Sequence, residues 1–304
     1  MMAPTPTEQD AHSDTTVHSQ RRKVPKTYKT IISGGVAGMF SKTCTAPLER
    51  IQILNQTGAT HDTISGTFHR ILRNDGVRGL WRGNFANCVR VFPHKSILFA
   101  VNESLQKHFT SSSSSFATGA FSGLVATGAT YPIDVIRAYL AGTFDKRTNS
   151  MLGVARNIIK KDGVLGLYTG FAVTCVGAVP YEAARIGVYG VLRPRIPTVS
   201  TKYGDEPHPF GKLCIGAIAG AAAGISTYPT DTIRRMLQVQ SAEGMPMYNG
   251  VLQCIVVNFR QGGIARFYHG LSAKLARVVP DAAILFVAYE GLKDFFEDVY
   301  YPKQ

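Results

Sequence analysis

Apolar residues in this chain gather into six long stretches, each interrupted by one proline and separated from the next by polar segments. The pattern predicts helices over roughly 28–56, 84–109, 113–142, 171–193, 208–238 and 271–297, with Pro47, Pro93, Pro132, Pro180, Pro229 and Pro280 inside them. Each has the ~20 residues a bilayer span requires. An interior proline breaks one backbone hydrogen bond and kinks a helix, which membrane bundles tolerate where a neighbour or cavity water satisfies the freed carbonyl. Between the two long stretches of each pair lies a short amphipathic one, clearest in Phe68-His69-Arg70-Ile71-Leu72-Arg73 and Val154-Ala155-Arg156-Asn157-Ile158-Ile159. These are expected to lie along an interface.

The stretches repeat. Pro47-Leu48-Glu49-Arg50-Ile51-Gln52 returns as Pro132-Ile133-Asp134-Val135-Ile136-Arg137 and as Pro229-Thr230-Asp231-Thr232-Ile233-Arg234. Gly34 and Gly38, Gly119 and Gly123, and Gly216 and Gly220 stand at the same two distances ahead of the three prolines. Small residues four apart let membrane helices approach closely. Downstream, Trp81-Arg82-Gly83, Tyr168-Thr169-Gly170 and Tyr268-His269-Gly270 recur, preceded by Asp75-Gly76, Asp162-Gly163 and Gly262-Gly263; the third copy lacks the acid. A period of this length means one unit built three times. The resulting division is a disordered tail 1–27, repeats 28–110, 111–200 and 201–297, and a C-terminal tail 298–304. The expected fold is an all-α membrane protein with six transmembrane helices in three tandem repeats around a central cavity.

Composition sharpens this. Charged residues make up 17% of the chain and 30 residues are glycine. That charge is below the roughly 25% usual in soluble domains. The net charge of +13 favours anionic partners. The basic residues are spread over all three repeats with no nucleic-acid recognition motif, so no nucleic-acid partner is expected. Cys44, Cys88, Cys175, Cys214 and Cys254 show no metal or disulfide spacing. No metal site or cofactor is expected. Gly211-Lys212 lacks the rest of a phosphate-binding loop, and no Ser/His/Asp constellation is legible, so no enzyme is expected.

The three proline hexapeptides, each followed by an aromatic-x-Gly element, resemble the mitochondrial carrier family, whose marks are Pro-x-[Asp/Glu]-x-x-[Lys/Arg] and aromatic-[Lys/Arg]-Gly. The resemblance covers residues 28–297. It implies a short matrix-side amphipathic helix in each repeat, alternating access through the central cavity, residence in the inner membrane of a mitochondrion or related organelle, both termini toward the intermembrane space, and a monomer. Cardiolipin is a plausible structural lipid at Trp81-Arg82-Gly83 and Tyr168-Thr169-Gly170, where helix N-termini offer amide donors to phosphate.

In each signature, acid and base share a helix face, so each acid can reach a base of the next helix. Glu49 with Arg137, Asp134 with Arg234 and Asp231 with Gln52 then close a matrix gate. Gln52 stands where the family has a base, and Gln56 and Gln238 resemble its glutamine braces. The same arithmetic beyond the second prolines gives a cytoplasmic gate of Glu103, Gln106, Arg193, Glu290 and Lys293, with Glu103–Arg193 its one full ion pair. The matrix gate is thus the stronger, and the resting carrier is expected to open toward the cytosol.

The substrate site is sought where the repeats differ. Three residues before the second prolines stand Arg90, Gly177 and Arg277. Arginine within a span is costly and its fork suits phosphate. Gly177, Ala178 and Tyr181 make a flat strip for an adenine ring. Lys42 is a third cation, matched by uncharged Thr127 and Gly224. The stretches Ser41-Lys42-Thr43-Cys44-Thr45-Ala46-Pro47 and Trp81-Arg82-Gly83-Asn84 look like those of ATP-magnesium/phosphate, coenzyme A and ADP/ATP carriers. Arg234-Arg235-Met236-Leu237-Gln238 departs from the Arg-Arg-Arg-Met-Met-Met of strict ADP/ATP exchangers. The resemblance implies exchange of an adenine-containing phosphorylated anion, with a coenzyme A carrier or a proton-conducting uncoupler of the same fold as alternatives.

Overall fold

A computed structural model describes residues 26–300 apart from 61, 109–111, 145–149, 196–197, 202–203 and 208. The tails 1–25 and 301–304 lie outside the described residues. The order is α1 (Lys26–Thr57), α2 (Ile64–Asp75), α3 (Asn84–His108), α4 (Ser112–Gly142), α5 (Met151–Asp162), α6 (Phe171–Leu192), α7 (Pro209–Ser226), α8 (Tyr228–Val239), α9 (Val251–Gly262) and α10 (Leu271–Tyr300). A 3-10 turn follows each short amphipathic helix, at Val77–Trp81, Val164–Tyr168 and Ile264–Tyr268.

Two elements differ from expectation. The 208–238 stretch is not one helix: it divides at Thr227 into α7 and α8, with Pro229 in the first turn of α8. Pro47 and Pro132 instead stay inside continuous helices. Gly224 stands three residues ahead of the break, where the other repeats have Lys42 and Thr127. A glycine there weakens the turn that a proline also weakens. The polar link between the second and third repeats holds a two-stranded antiparallel hairpin, β1 (Thr198–Thr201) and β2 (Gly204–Pro207).

By length and apolarity, one described helical stretch, Val164–Arg195, qualifies as a membrane span, not six. The others carry ionisable residues, such as Arg90 and Lys95 in α3 or Lys274, Arg277 and Asp281 in α10, which lower their mean hydropathy.

Each repeat builds a small core between the end of its first helix and its amphipathic helix. Ile51, Leu54, Ile71 and Leu80 form the first, Tyr139, Val154, Ile158 and Leu167 belong to the second, and Met236, Leu237, Cys254 and Phe267 to the third. The repeats then lock to one another through glycines with positive φ. A Cβ on Gly83 would lie 3.1 Å from the Arg137 carbonyl, on Gly170 3.3 Å from that of Arg234, and on Gly270 2.8 Å from that of Gln52. Every aromatic-x-Gly element thus seats on the signature of the next repeat, and the third seats on the first.

Candidate transport site

The three signature helices converge on a buried ring of ionised side chains. Arg137 of α4 pairs with Glu49 of α1, and Arg234 of α8 pairs with Asp134 of α4. Asp134 also faces Arg137 Nη1 at 3.4 Å and Arg235 Nη1 at 3.8 Å. It is 1% exposed, so its charge depends on these guanidinium groups. Gln238 donates from Nε2 to Asp134 Oδ2 at 3.2 Å and to the Tyr131 hydroxyl at 3.1 Å, bracing the acid from below.

The third link is not made by Gln52. Its amide points down α1 and donates to Gln56 Oε1 at 3.4 Å, while its own Oε1 is buried with no hydrogen-bond partner among the described residues. Asp231 instead faces Lys274 Nζ of α10 at 3.3 Å. Lys274 also lies 5.0 Å over the Tyr228 ring and donates to the Gly224 carbonyl at 3.4 Å. A Cβ on Gly224 would stand 3.1 Å from Lys274 Cε, so the glycine makes room for this stem. Each of the three signature acids therefore has a base, the third base coming from the second long helix of its repeat. Sequence reasoning missed Lys274, although its counterparts four residues after the motif glycines are Asn87 and Thr174.

Above the ring, Arg90 Nη1 lies 3.7 Å from Asp134 Oδ1, and Arg277 Nη1 lies 3.4 Å from Glu49 Oε2. Both arginines lean on ring carboxylates. Lys42 Nζ lies 2.5 Å from Asp281 Oδ2, and Ser41 and Thr45 hydroxyls donate to the same side chain. Asp281 was also missed; it follows Pro280 where His94 and Tyr181 follow the other prolines. Lys42 is thus a paired cation and not an isolated one. Gly177, Ala178 and Tyr181 line a cavity of about 270 Å³ with Thr230, Asp231 and Lys274. A Cβ on Gly177 would lie 3.1 Å from Thr230 Oγ1.

At the opposite end, Glu103 pairs with Lys107 one turn along at 3.1 Å, both exposed, and not with Arg193. Gln106, Arg193 and Glu290 are exposed. The side chain of Lys293 lies outside the described residues. The ring end is closed by ion pairs, while the Glu103–Arg193 end has no such pair across helices among the described residues.

Around the amphipathic helices, Arg50 is fully buried and pairs with Asp75, with Arg82 Nη1 3.7 Å from the same carboxylate. Asp162 accepts a hydrogen bond from Ser241 Oγ. In the third repeat, burial pushes the Cys254 thiol up to about 11 and draws the Arg266 guanidinium below its ordinary value, because both charged forms lose solvation there.

A threefold helical bundle closed at one end by an ion-paired ring, with asymmetric cations above it, has the architecture of a carrier. The chain belongs to the mitochondrial carrier family, whose model, described as mitochondrial carrier protein, matches it three times, over residues 23–113, 110–199 and 205–300. It is 33% identical over 293 residues to the mitochondrial substrate carrier family protein P of Dictyostelium discoideum, covering 93% of this chain and 98% of that one. It is 31% identical over 291 residues to ADP/ATP translocase 4 of Bos taurus, covering 88% of each. Against the mitochondrial adenyl nucleotide antiporter SLC25A25 of Mus musculus it is 29% identical over 286 residues, which span 90% of this chain and 60% of that protein.

Proposed function

We propose that this protein exchanges an adenine-containing phosphorylated anion across the inner membrane of a mitochondrion or a related organelle, by alternating access of one central site. Similarity to proteins named as ADP/ATP translocase and adenyl nucleotide antiporter supports the substrate class. Six membrane spans are supported by large apolar side chains turned outward on each long element, among them Phe40, Phe99, Phe121, Val179, Ile218 and Val287. Both termini then lie on one side, which we take as the intermembrane space, with the amphipathic helices on the matrix side.

The observation that carries the reading is the double duty of Arg90 and Arg277. Each is a cation within a long helix, and each stands within ion-pair distance of a ring carboxylate. A phosphorylated anion offers these forks a bidentate partner. Binding it draws Arg90 from Asp134 and Arg277 from Glu49, so the ring loses two supporting cations as the substrate gains them. The adenine ring lies along Gly177, Ala178 and Tyr181. Lys42 joins when substrate competes with Asp281 for it. A ligand shifts the closed–open balance only by its differential affinity for the two states. Here that difference resides in contacts shared between substrate and gate. Cardiolipin would bind from the membrane side at the helix N-termini behind Gly83 and Gly170.

The test is exchange of labelled ATP, ADP, AMP and coenzyme A in proteoliposomes. Robust exchange of at least one is expected. No exchange of any of the four sinks the substrate class, and exchange of coenzyme A alone selects a cofactor carrier. Arg90→Ala and Arg277→Ala are each expected to lower exchange at least a hundredfold, roughly the loss of one charge-assisted bidentate contact. Full exchange by both variants would remove these arginines from the site.

A further inference from the structure

A cavity lies beyond the ring, among the amphipathic helices, and the central site makes no use of it. It measures about 950 Å³ and is lined by Thr57 of the first repeat, Phe144 of the second, and Tyr248 and Arg266 of the third. It is framed by two departures from the repeat. At the end of α2 and α5 stand Asp75 and Asp162; at the end of α9 stands Gly262. Four residues on, the first two repeats have Gly79 and Gly166, and the third has Arg266.

These departures are one structural event. A Cβ on Gly79 would lie 2.4 Å from Asp75 Cβ, and one on Gly166 would lie 2.8 Å from Asp162 Cβ. The acid and a side chain at the later position therefore exclude each other. Where the acid becomes Gly262, the space opens. Arg266 fills it, with its Cβ 3.1 Å from the point a Gly262 Cβ would occupy. One of three equivalent places thus changes from an anion to a cation.

The cation lacks the side-chain partners that the acids have, among the described residues. Asp75 has Arg50 and Arg82, and Asp162 has Ser241. Arg266 is 8% exposed, and its Nη1 is buried without a hydrogen-bond partner among the described residues. A buried guanidinium N–H left unpaired is costly, and Arg266 differs from Arg50 and Arg234, which also bury an unpaired nitrogen, in having no carboxylate partner among the described residues. Asn258 donates to the Tyr248 hydroxyl at 3.1 Å, leaving that O–H to donate onward. Glu243 and His269 also line the cavity, and neither is free of partners. The volume is within the range of small-molecule sites.

We propose that this cavity is a second anion site, which takes a small water-borne phosphate-bearing anion through Arg266 on the face of the molecule that carries the amphipathic helices. It is separate from the central site and holds whichever anion that site carries.

The test is hydrogen–deuterium exchange of the full chain in phosphatidylcholine nanodiscs, with and without inorganic phosphate. Phosphate is expected to slow exchange severalfold in segments 243–248 and 262–269. The slowing should persist in an Arg90→Ala, Arg277→Ala double variant, in which the central cations are gone. It should vanish in Arg266→Gln. Absence of slowing in the unmodified protein overturns the proposal, as does slowing that survives Arg266→Gln. Slowing produced by phosphatidic acid in the discs without phosphate would assign the cavity to a lipid headgroup and overturn the water-borne ligand. Failure of nucleotide exchange in proteoliposomes bears on the central site and leaves these outcomes readable.

Discussion

Lys274 shows how one residue repairs a break in a threefold pattern. Gln52 cannot supply a charge, and its side-chain Oε1 is buried without a partner among the described residues. Asp231 would be an uncompensated acid if nothing replaced the missing base, and such an acid is strongly destabilising. Lys274 replaces it from another helix, with Gly224 leaving the space its stem needs. The substitution Lys274→Met is therefore expected to lower stability by about 1–3 kcal/mol, the range for a hydrogen bond to a charged group. Gln52→Lys added to that variant should recover much of the loss, because it returns a cation to the position facing Asp231. Thermal unfolding of the four proteins in one detergent gives the cycle. If the second lysine restores nothing, Asp231 is not reached from position 52. Asp281 does the same kind of work on Lys42, which the sequence alone presents as an unmatched cation. Comparing equivalent positions found Lys42 but not its partner, because that partner sits on a helix of a different repeat.

The elements show where sequence arithmetic reaches and where it ends. Helices, repeats and the Glu49–Arg137 and Asp134–Arg234 contacts follow from spacing, since a proline and an acid–base pair three apart define one helix face. The division of the third repeat at Thr227 does not, because Pro47 and Pro132 lie in the same local motif inside unbroken helices. Whether a proline kinks or ends a helix depends on the turn before it, and Gly224 weakens that turn. The hairpin at 198–207 was equally hidden in a segment read only as polar. Between elements, the decisive contact is backbone on backbone at the motif glycines. Gly270 has φ +82, and a Cβ there would lie 2.8 Å from the Gln52 carbonyl. Gly270→Ala meets both penalties and is expected to cost about 1–3 kcal/mol. The measurement is the shift in thermal midpoint against Gly291→Ala, where nothing stands within 4 Å of the added carbon. Equal shifts at the two positions would show that the seat is not tight.

At the scale of the whole molecule the two ends are unequal. One end is closed by Glu49, Asp134 and Asp231 with their bases. At the other, Glu103 is satisfied by Lys107 on its own helix. A cysteine at Gly177 in a chain otherwise free of cysteine is therefore expected to react with a membrane-impermeant thiol reagent added on the Glu103 side, and not with the same reagent added opposite. Modification from the ring side alone would reverse the assigned resting state. Each repeat seats on the next through Gly83, Gly170 and Gly270, and the last seats on the first. Ser41 and Lys42 of α1 likewise hold Asp281 of α10 directly. The bundle is a closed circle whose order along the chain is incidental to its contacts. A circular permutant that begins at Ser112, with the original ends joined by a flexible linker, keeps every one of those seats. It is expected to unfold within a few degrees of the parent, as chains opened between elements commonly do. Such a permutant would make the place where the polypeptide starts a free choice for labels or fusions on this scaffold.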